Sequence, residues 1–230
     1  PRASRTVPFV SKATGIQLAK LATKVMLGKS LDELGFTEEV IPEYYSVKEA
    51  VLPFDRFSNV DTLLGPEMKS TGEVMGIDKD LGLALAKAHL GGGHKLPAEG
   101  GVFISVRDED KESVLELAQD YYNAGFNILA TIGTSRYLNE NSVPNTMIRK
   151  ISVGRPNVID EIKTNNISVI VNTGGSDAYE KKDGYQIRRS ALKYKVPYAT
   201  TVPGAVAMLR GIEALKKGSL KVKSVQEYHE

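Results

Sequence analysis

The chain has 230 residues, 41% hydrophobic and 25% charged, and its 30 Lys and Arg against 28 Asp and Glu give a formal charge of +2. That balance is ordinary for a folded protein and lacks the basic excess that marks a nucleic-acid binder. Without cysteine there are no disulfides, thiolate metal sites or cysteine nucleophile, and no apolar run nears the roughly 20 residues that span a bilayer. A small-molecule ligand is therefore expected, with no nucleic acid and no membrane as partner, and the cytoplasm is the expected compartment. The opening Pro1-Arg2-Ala3-Ser4-Arg5 has neither an initiator Met nor the apolar core of a signal peptide, so the chain reads as a piece of something longer.

In chain order, residues 15–28 carry apolar side chains at 3.6-residue spacing (Ile16, Leu18, Ala19, Leu21, Ala22, Val25, Met26) and close on Gly28, which predicts an amphipathic helix with a glycine stop. Residues 30–35 predict a short capped turn of helix. Residues 44–54 and 72–77 predict strands, and 81–90 another helix. Three glycines and a proline in Gly91-Gly92-Gly93-His94-Lys95-Leu96-Pro97 then break the pattern. This divides an α+β region, residues 1–94, from a second domain, residues 95–230. Strands are predicted there at 102–106, 126–132, 146–151, 167–173 and 197–201. Helices are predicted between and after them at 111–122, 135–140, 158–163, 188–194 and 206–217. Five such alternations predict an α/β fold with a mainly parallel sheet, helices on both faces and right-handed crossovers.

The most informative run is Leu129-Ala130-Thr131-Ile132-Gly133-Thr134-Ser135, an apolar strand that breaks into hydroxyl residues before a helix. Unsatisfied amides and the positive dipole end favour an anion at such a place. The same pattern also serves as a plain strand-to-helix turn with Thr134 as N-cap. Lys150, closing its strand, is placed to neutralise a phosphate. Asn172 and Thr173, closing theirs, can bond a sugar or base or simply shape the turn through Gly174-Gly175. Ser105 and Lys111 fall on the same edge if the strands are parallel, with Asp108-Glu109-Asp110 as a cap. In doubly wound sheets that edge binds ligands. His89, His94 and His229 show no metal-ligand spacing, so no metal is expected. No G-x-S-x-G, Walker A or G-x-G-x-x-G occurs. Arg2 and Arg5 are spaced to reach one phosphate, and Glu49 alternates with apolar neighbours on its strand.

Two long stretches carry a resemblance: residues 1–15 (PRASRTVPFVSKATG) and residues 65–76 (GPEMKSTGEVMG) closely resemble the carbamoyl phosphate synthetase large-subunit family. The second half, with Ala130-Thr131-Ile132-Gly133-Thr134 and Ile187-Arg188-Arg189-Ser190-Ala191-Leu192, is similar to the C-terminal regulatory domain of that family, which shares its fold with methylglyoxal synthase. The resemblance implies a Rossmann-type, methylglyoxal synthase-like (MGS-like) allosteric domain with a five-stranded sheet, residues 95–230. Residues 1–94 would be an α+β remnant of the second, carbamoyl phosphate-forming ATP-grasp unit. The intact enzyme would use ATP and Mg²⁺ or Mn²⁺ as cofactors and serve pyrimidine and arginine biosynthesis. This stretch holds no cofactor and no catalytic residue, and is not expected to catalyse alone.

The resemblance further implies that Ser105, Lys111, Thr131, Thr134, Lys150, Asn172 and Thr173 hold a nucleotide monophosphate effector such as UMP or IMP. Gly174-Gly175-Ser176-Asp177 departs from the enterobacterial pattern, so phosphoribosyl diphosphate is a further candidate. Glu49, Tyr198 and Thr200 match an ornithine site, and Arg2 and Arg5 a phosphate-facing loop of the ATP site. Other implied partners are the rest of the large subunit and the glutaminase small subunit, with self-association through uncovered apolar surface. The competing reading is a stand-alone lyase of the methylglyoxal synthase kind acting on dihydroxyacetone phosphate. Such a lyase has pocket histidines, and the only histidine after Lys95 is His229 in the tail.

Overall fold

The computed structural model describes residues 5–57, 60–64, 69–173 and 178–229. It opens with a helix the sequence pattern did not reveal, α1 (Thr6–Thr14), stopped by Gly15 in the left-handed conformation at φ 76°. The predicted amphipathic helix follows as α2 (Leu18–Met26). None of its residues is buried, and Val25, Met26 and Leu27 stand exposed. At the predicted capped turn, Glu33 N–H donates to the Ser30 hydroxyl (3.1 Å) and Ser30 N–H to the Glu33 carboxylate (2.8 Å), a capping box around one turn.

Strands β1 (Tyr45–Val51) and β2 (Gly72–Asp78) pair antiparallel, and α3 (Leu81–Gly91), capped by the Asp80 carboxylate on Leu83 N–H at 2.8 Å, lies across them. Small residues set how close it lies. A β-carbon on Gly76 would stand 2.0 Å from the Ala84 carbonyl oxygen, so only glycine permits this strand–helix approach.

The second region alternates as the sequence predicts: β3 (Gly101–Ser105), α4 (Lys111–Asn123), β4 (Asn127–Thr131), α5 (Ile132–Glu140), β5 (Thr146–Ile148), α6 (Val158–Lys163), β6 (Ile167–Asn172), α7 (Ala178–Tyr194), β7 (Tyr198–Ala199) and α8 (Val202–Lys217). The sheet order is β5-β4-β3-β6-β7, with every neighbouring pair parallel. The chain thus starts at the sheet centre, fills one side, and crosses over to fill the other. Burial on both faces explains the unbroken apolar strands. Val102 and Ile104 of β3 pack with α4 and α8 through Val114, Tyr121, Met208 and Ile212, whereas Phe103 points to the opposite face, toward Val158, Ile162, Ile187 and Ala191.

Three helix starts differ from the pattern-based boundaries. α5 begins at Ile132 rather than 135, because its first residue is apolar and reads as a strand end. α7 begins near 178 rather than 188, since its first half, with Gly184 inside, shows no apolar stripe. α8 begins at 202, where Pro203 sits in the first turn behind the Thr201 cap, a position proline favours. The two regions touch along α3 and α8: a β-carbon on Gly82 would stand 2.7 Å from the Ala214 β-carbon, and one on Gly211 3.5 Å from Ala86 N. The tail returns to the first region, with Tyr228 donating to the Ile77 carbonyl (2.9 Å) and the His229 ring against the Lys12 carbonyl (2.8 Å) and Tyr44. No helix among the described residues is long and apolar enough to cross a membrane.

The close approach at Gly76 predicts that Gly76→Ala costs about 2 kcal/mol in urea unfolding, because main-chain atoms cannot move aside for the new methyl group. Gly72→Ala, which meets nothing within 4 Å, is the control and should stay near wild type.

Candidate functional site

The sheet order reverses between β3 and β6, and their carboxyl ends, Ser105 and Asn172, stand opposite each other in register. A crevice opens at such a switch point because the crossovers leave in opposite directions. Here it is a cavity of about 180 Å³. All seven residues proposed from the sequence, Ser105, Lys111, Thr131, Thr134, Lys150, Asn172 and Thr173, line it.

Their hydroxyls divide into two kinds. Thr131 donates to the Ser105 hydroxyl (3.1 Å), and Thr134 accepts from Val106 N–H (3.4 Å). As recipients, Ser105 and Thr134 keep their own protons for an oxygen in the cavity. The Thr173 hydroxyl accepts from Arg107 N–H at 3.1 Å. It also bonds Asp110, whose carboxyl burial would push up but which Arg107 and Thr173 together hold below its ordinary value. Thr131 and Thr173 thus shape the rim. Thr134 is not the N-cap: Thr131 holds that position, its side chain turned to Ser105 instead of capping. The first-turn amides of α5 are therefore not capped by that side chain, and they lie beside Gly133 at the cavity wall. The Lys111 ammonium lies over Gly133, 3.8 Å from where a β-carbon would stand.

Lys111 pairs with Asp108 at 2.7 Å. The Lys111 hydrogen bond and charge, with Lys150 adding to them, hold the Asp108 carboxyl below its ordinary range. Asp108 is 92% exposed whereas Lys111 is 23% exposed, so the carboxylate is free to leave while the ammonium stays.

Sequence reasoning missed Asp183, which also lines the cavity, and the layer behind it. Asp183 accepts from the Ser152 N–H (3.1 Å) and hydroxyl (2.8 Å), tying the short turn after Lys150 to α7. Asn172 donates to the Ser105 carbonyl (3.2 Å) and accepts from Arg188 (3.4 Å), so its amide orientation is fixed. Arg188 is 2% exposed and binds both oxygens of Asp61, at 2.9 and 2.6 Å. The only signal of this layer in the sequence is the adjacent pair Arg188-Arg189.

Glu49, Tyr198 and Thr200 also meet, in a second cavity of about 280 Å³ with His89 and His94. Glu49 is paired with His89, Nδ1 to Oε2 3.0 Å, and burial pushes the Tyr198 phenol up. Arg5 donates to the hydroxyl and carbonyl of Ser70, the latter at 3.1 Å. Arg2 and the run Gly174-Gly175-Ser176-Asp177 lie outside the described residues. Among the described residues no cluster of His, Asp or Glu could hold a metal ion.

The sequence resembles known proteins along its whole length. Residues 113–200 match the MGS-like domain family. Over its whole length the chain is 54% identical to a carbamoyl phosphate synthase large chain of Archaeoglobus fulgidus. It is 52% identical over 99% of its length to a large chain of Nostoc sp. and, likewise, to an arginine-specific chloroplastic large chain of Oryza sativa subsp. japonica. The chain spans about a fifth of the length of these relatives. It matches their C-terminal, MGS-like region.

The Asp61–Arg188 pair makes a pH prediction. Burial opposes the Asp61 charge, but the hydrogen bond and charge of Arg188 lower its carboxyl below the ordinary 3.8. A depressed folded-state value means that its contribution is complete above the unfolded value and fades as pH falls through the folded one. The urea midpoint of the wild type should therefore drop more steeply than that of Asp61→Asn as pH falls below about 4; parallel curves would refute the assignment.

Proposed function

This chain belongs to the carbamoyl phosphate synthase large-chain family as the counterpart of about a fifth of its members' length, and from that premise we propose that its second region, residues 95–230, binds a nucleoside monophosphate as a regulatory effector. The observation that carries this reading is the meeting of Ser105, Asn172, the α5 first turn and two lysines at one switch-point cavity. A phosphate dianion fits that set. Ser105 and Thr134 hydroxyls and the α5 amides donate to its oxygens, the helix dipole favours its charge, and Lys111 and Lys150 neutralise it. The Asn172 amide and the walls at Ile151 and Ile187 then face the sugar and base. UMP and IMP suit the site, and phosphoribosyl diphosphate is the variant with a second charged end.

Asp108 pairs with Lys111, so ligand entry exchanges one anion for another, and the exposed carboxylate swings to solvent. The whole protein is proposed to be a ligase that makes carbamoyl phosphate with ATP and Mg²⁺, in partnership with a glutaminase subunit, in the cytoplasm. Residues 1–94 would be the end of its ATP-grasp unit, joined to the regulatory region near the glycine run. The cavity of Glu49, Tyr198 and Thr200 offers a carboxylate and two hydroxyls to a small amine such as ornithine, which must compete with His89 for Glu49. A lyase reading is not favoured: no described histidine lines the first cavity, and His229 lies against Tyr44 and Lys12.

Calorimetric titration with UMP and IMP should show binding that weakens at least tenfold, roughly 1.4 kcal/mol, in Lys150→Ala and in Lys111→Ala. Unchanged affinity in both variants would reject the pocket. Asp108→Ala should instead tighten binding about threefold, since it removes the competing anion and leaves every donor in place. Incubation with dihydroxyacetone phosphate should release no phosphate above the buffer rate.

A further inference from the structure

One buried cation joins the candidate pocket to the first region. Arg188, on α7, directs Nε and Nη2 to the two oxygens of Asp61 and Nη1 to the Asn172 side-chain oxygen at 3.4 Å. A guanidinium holds its five N–H groups in a rigid plane, so a rotation that improves one contact weakens the other. Gly184, one turn earlier on α7, leaves the space: a β-carbon there would stand 2.8 Å from Nη1 and 3.3 Å from the Asn172 oxygen. Beyond Asp61 the chain runs through Thr62 and Leu64, which line the second cavity with Glu49 and Tyr198. Arg189 grips the same part of the chain separately, donating to the carbonyls of Phe54 (3.1 Å), Phe57 (3.0 Å) and Val60 (3.5 Å).

We propose that Arg188 is a positioning residue that couples the two cavities: a ligand that engages the Asn172 amide changes the hold of Arg188 on Asp61, and with it the order of residues 60–64. This rests on the reading of the first cavity as a nucleotide site. The two contacts share one rigid donor, which is the bistable element that coupling requires, and the effect runs in both directions by linkage. Arg189 keeps its carbonyl contacts whichever way Arg188 turns, so the segment is re-ordered rather than released.

Hydrogen–deuterium exchange on the whole chain, with and without saturating UMP or IMP, decides the matter. In the wild type the nucleotide should change exchange about fivefold or more both at the strand ends, 105–107 and 172–173, and at 60–64. In Asp61→Asn the strand ends should still respond to nucleotide while 60–64 no longer does. Arg189→Gln should speed exchange near Phe54 and Phe57 yet keep the nucleotide response at 60–64. Without any ligand, Asp61→Asn should also speed exchange at 172–173, because Asn172 loses the partner that Asp61 holds in place.

A nucleotide response at 60–64 that survives Asp61→Asn overturns the proposal, as does a ligand-free variant in which only 60–64 changes. If no nucleotide binds the wild type, the pocket reading fails instead, and the ligand-free comparison still decides whether Arg188 joins the two segments.

Discussion

Two parallel strands present their carboxyl ends on the same edge, and the β3–β6 pair does so where the order of the sheet reverses. The Ser105–Asn172 register at that point is the constraint from which the rest of the candidate site follows. It sets the Asn172 amide against the Ser105 carbonyl, brings the Ser105 hydroxyl to Thr131 at the end of the next strand, and leaves the first turn of α5 facing the gap. A shift of one residue in either strand would turn these side chains to opposite faces of the sheet, where the apolar layers lie. The same alternation that buries Phe103 on one side and Val102 and Ile104 on the other therefore also aims the polar ends.

Charge is distributed around this edge so that cations remain when an anion arrives. Lys111 is largely covered while its partner Asp108 is exposed, and Asp183, which also lines the cavity, has its carboxylate bonded to the Ser152 turn. The buried cation, Arg188, stands behind the wall, and its charge is met by Asp61. A guanidinium so deeply buried would be very costly without a carboxylate, and that carboxylate comes from the first region of the chain. The layer behind the pocket is thus neutralised by a residue from the first region.

Contact between the two regions rests on small residues as much as on charge. Gly82 lets α3 and α8 approach where any larger side chain would collide, Gly76 does the same between β2 and α3, and Gly211 leaves room for Leu96 beside α3 and α8. α2 follows the opposite rule: its apolar stripe is real, yet beside α1 only Leu18 and Leu21 of it are half-buried and none is fully buried. Periodicity predicted that a helix forms there and was silent on what the helix faces.

Glu49, Tyr198 and Thr200 were grouped only by the family resemblance, whereas the sequence by itself determined the alternation of strands and helices and put seven candidate residues at the ends of neighbouring strands and the starts of their helices. These were legible because apolar runs, glycine stops and hydroxyl-rich strand ends are local signals, governed by the backbone conformation of a few neighbours. The early starts of α5, α7 and α8 were not legible, because Ile132 resembles a strand end, the first half of α7 lacks a stripe and Pro203 resembles a breaker. Only the tertiary structure decided that Thr131 orients Ser105 instead of capping its helix, that Asp183 holds the turn after Lys150, that His89 occupies Glu49, and that Arg188 reaches Asp61. Asp61 and Arg188 lie 127 positions apart in the chain. Which carboxylate a buried guanidinium finds depends on how whole elements pack, a relation no local pattern of residues encodes.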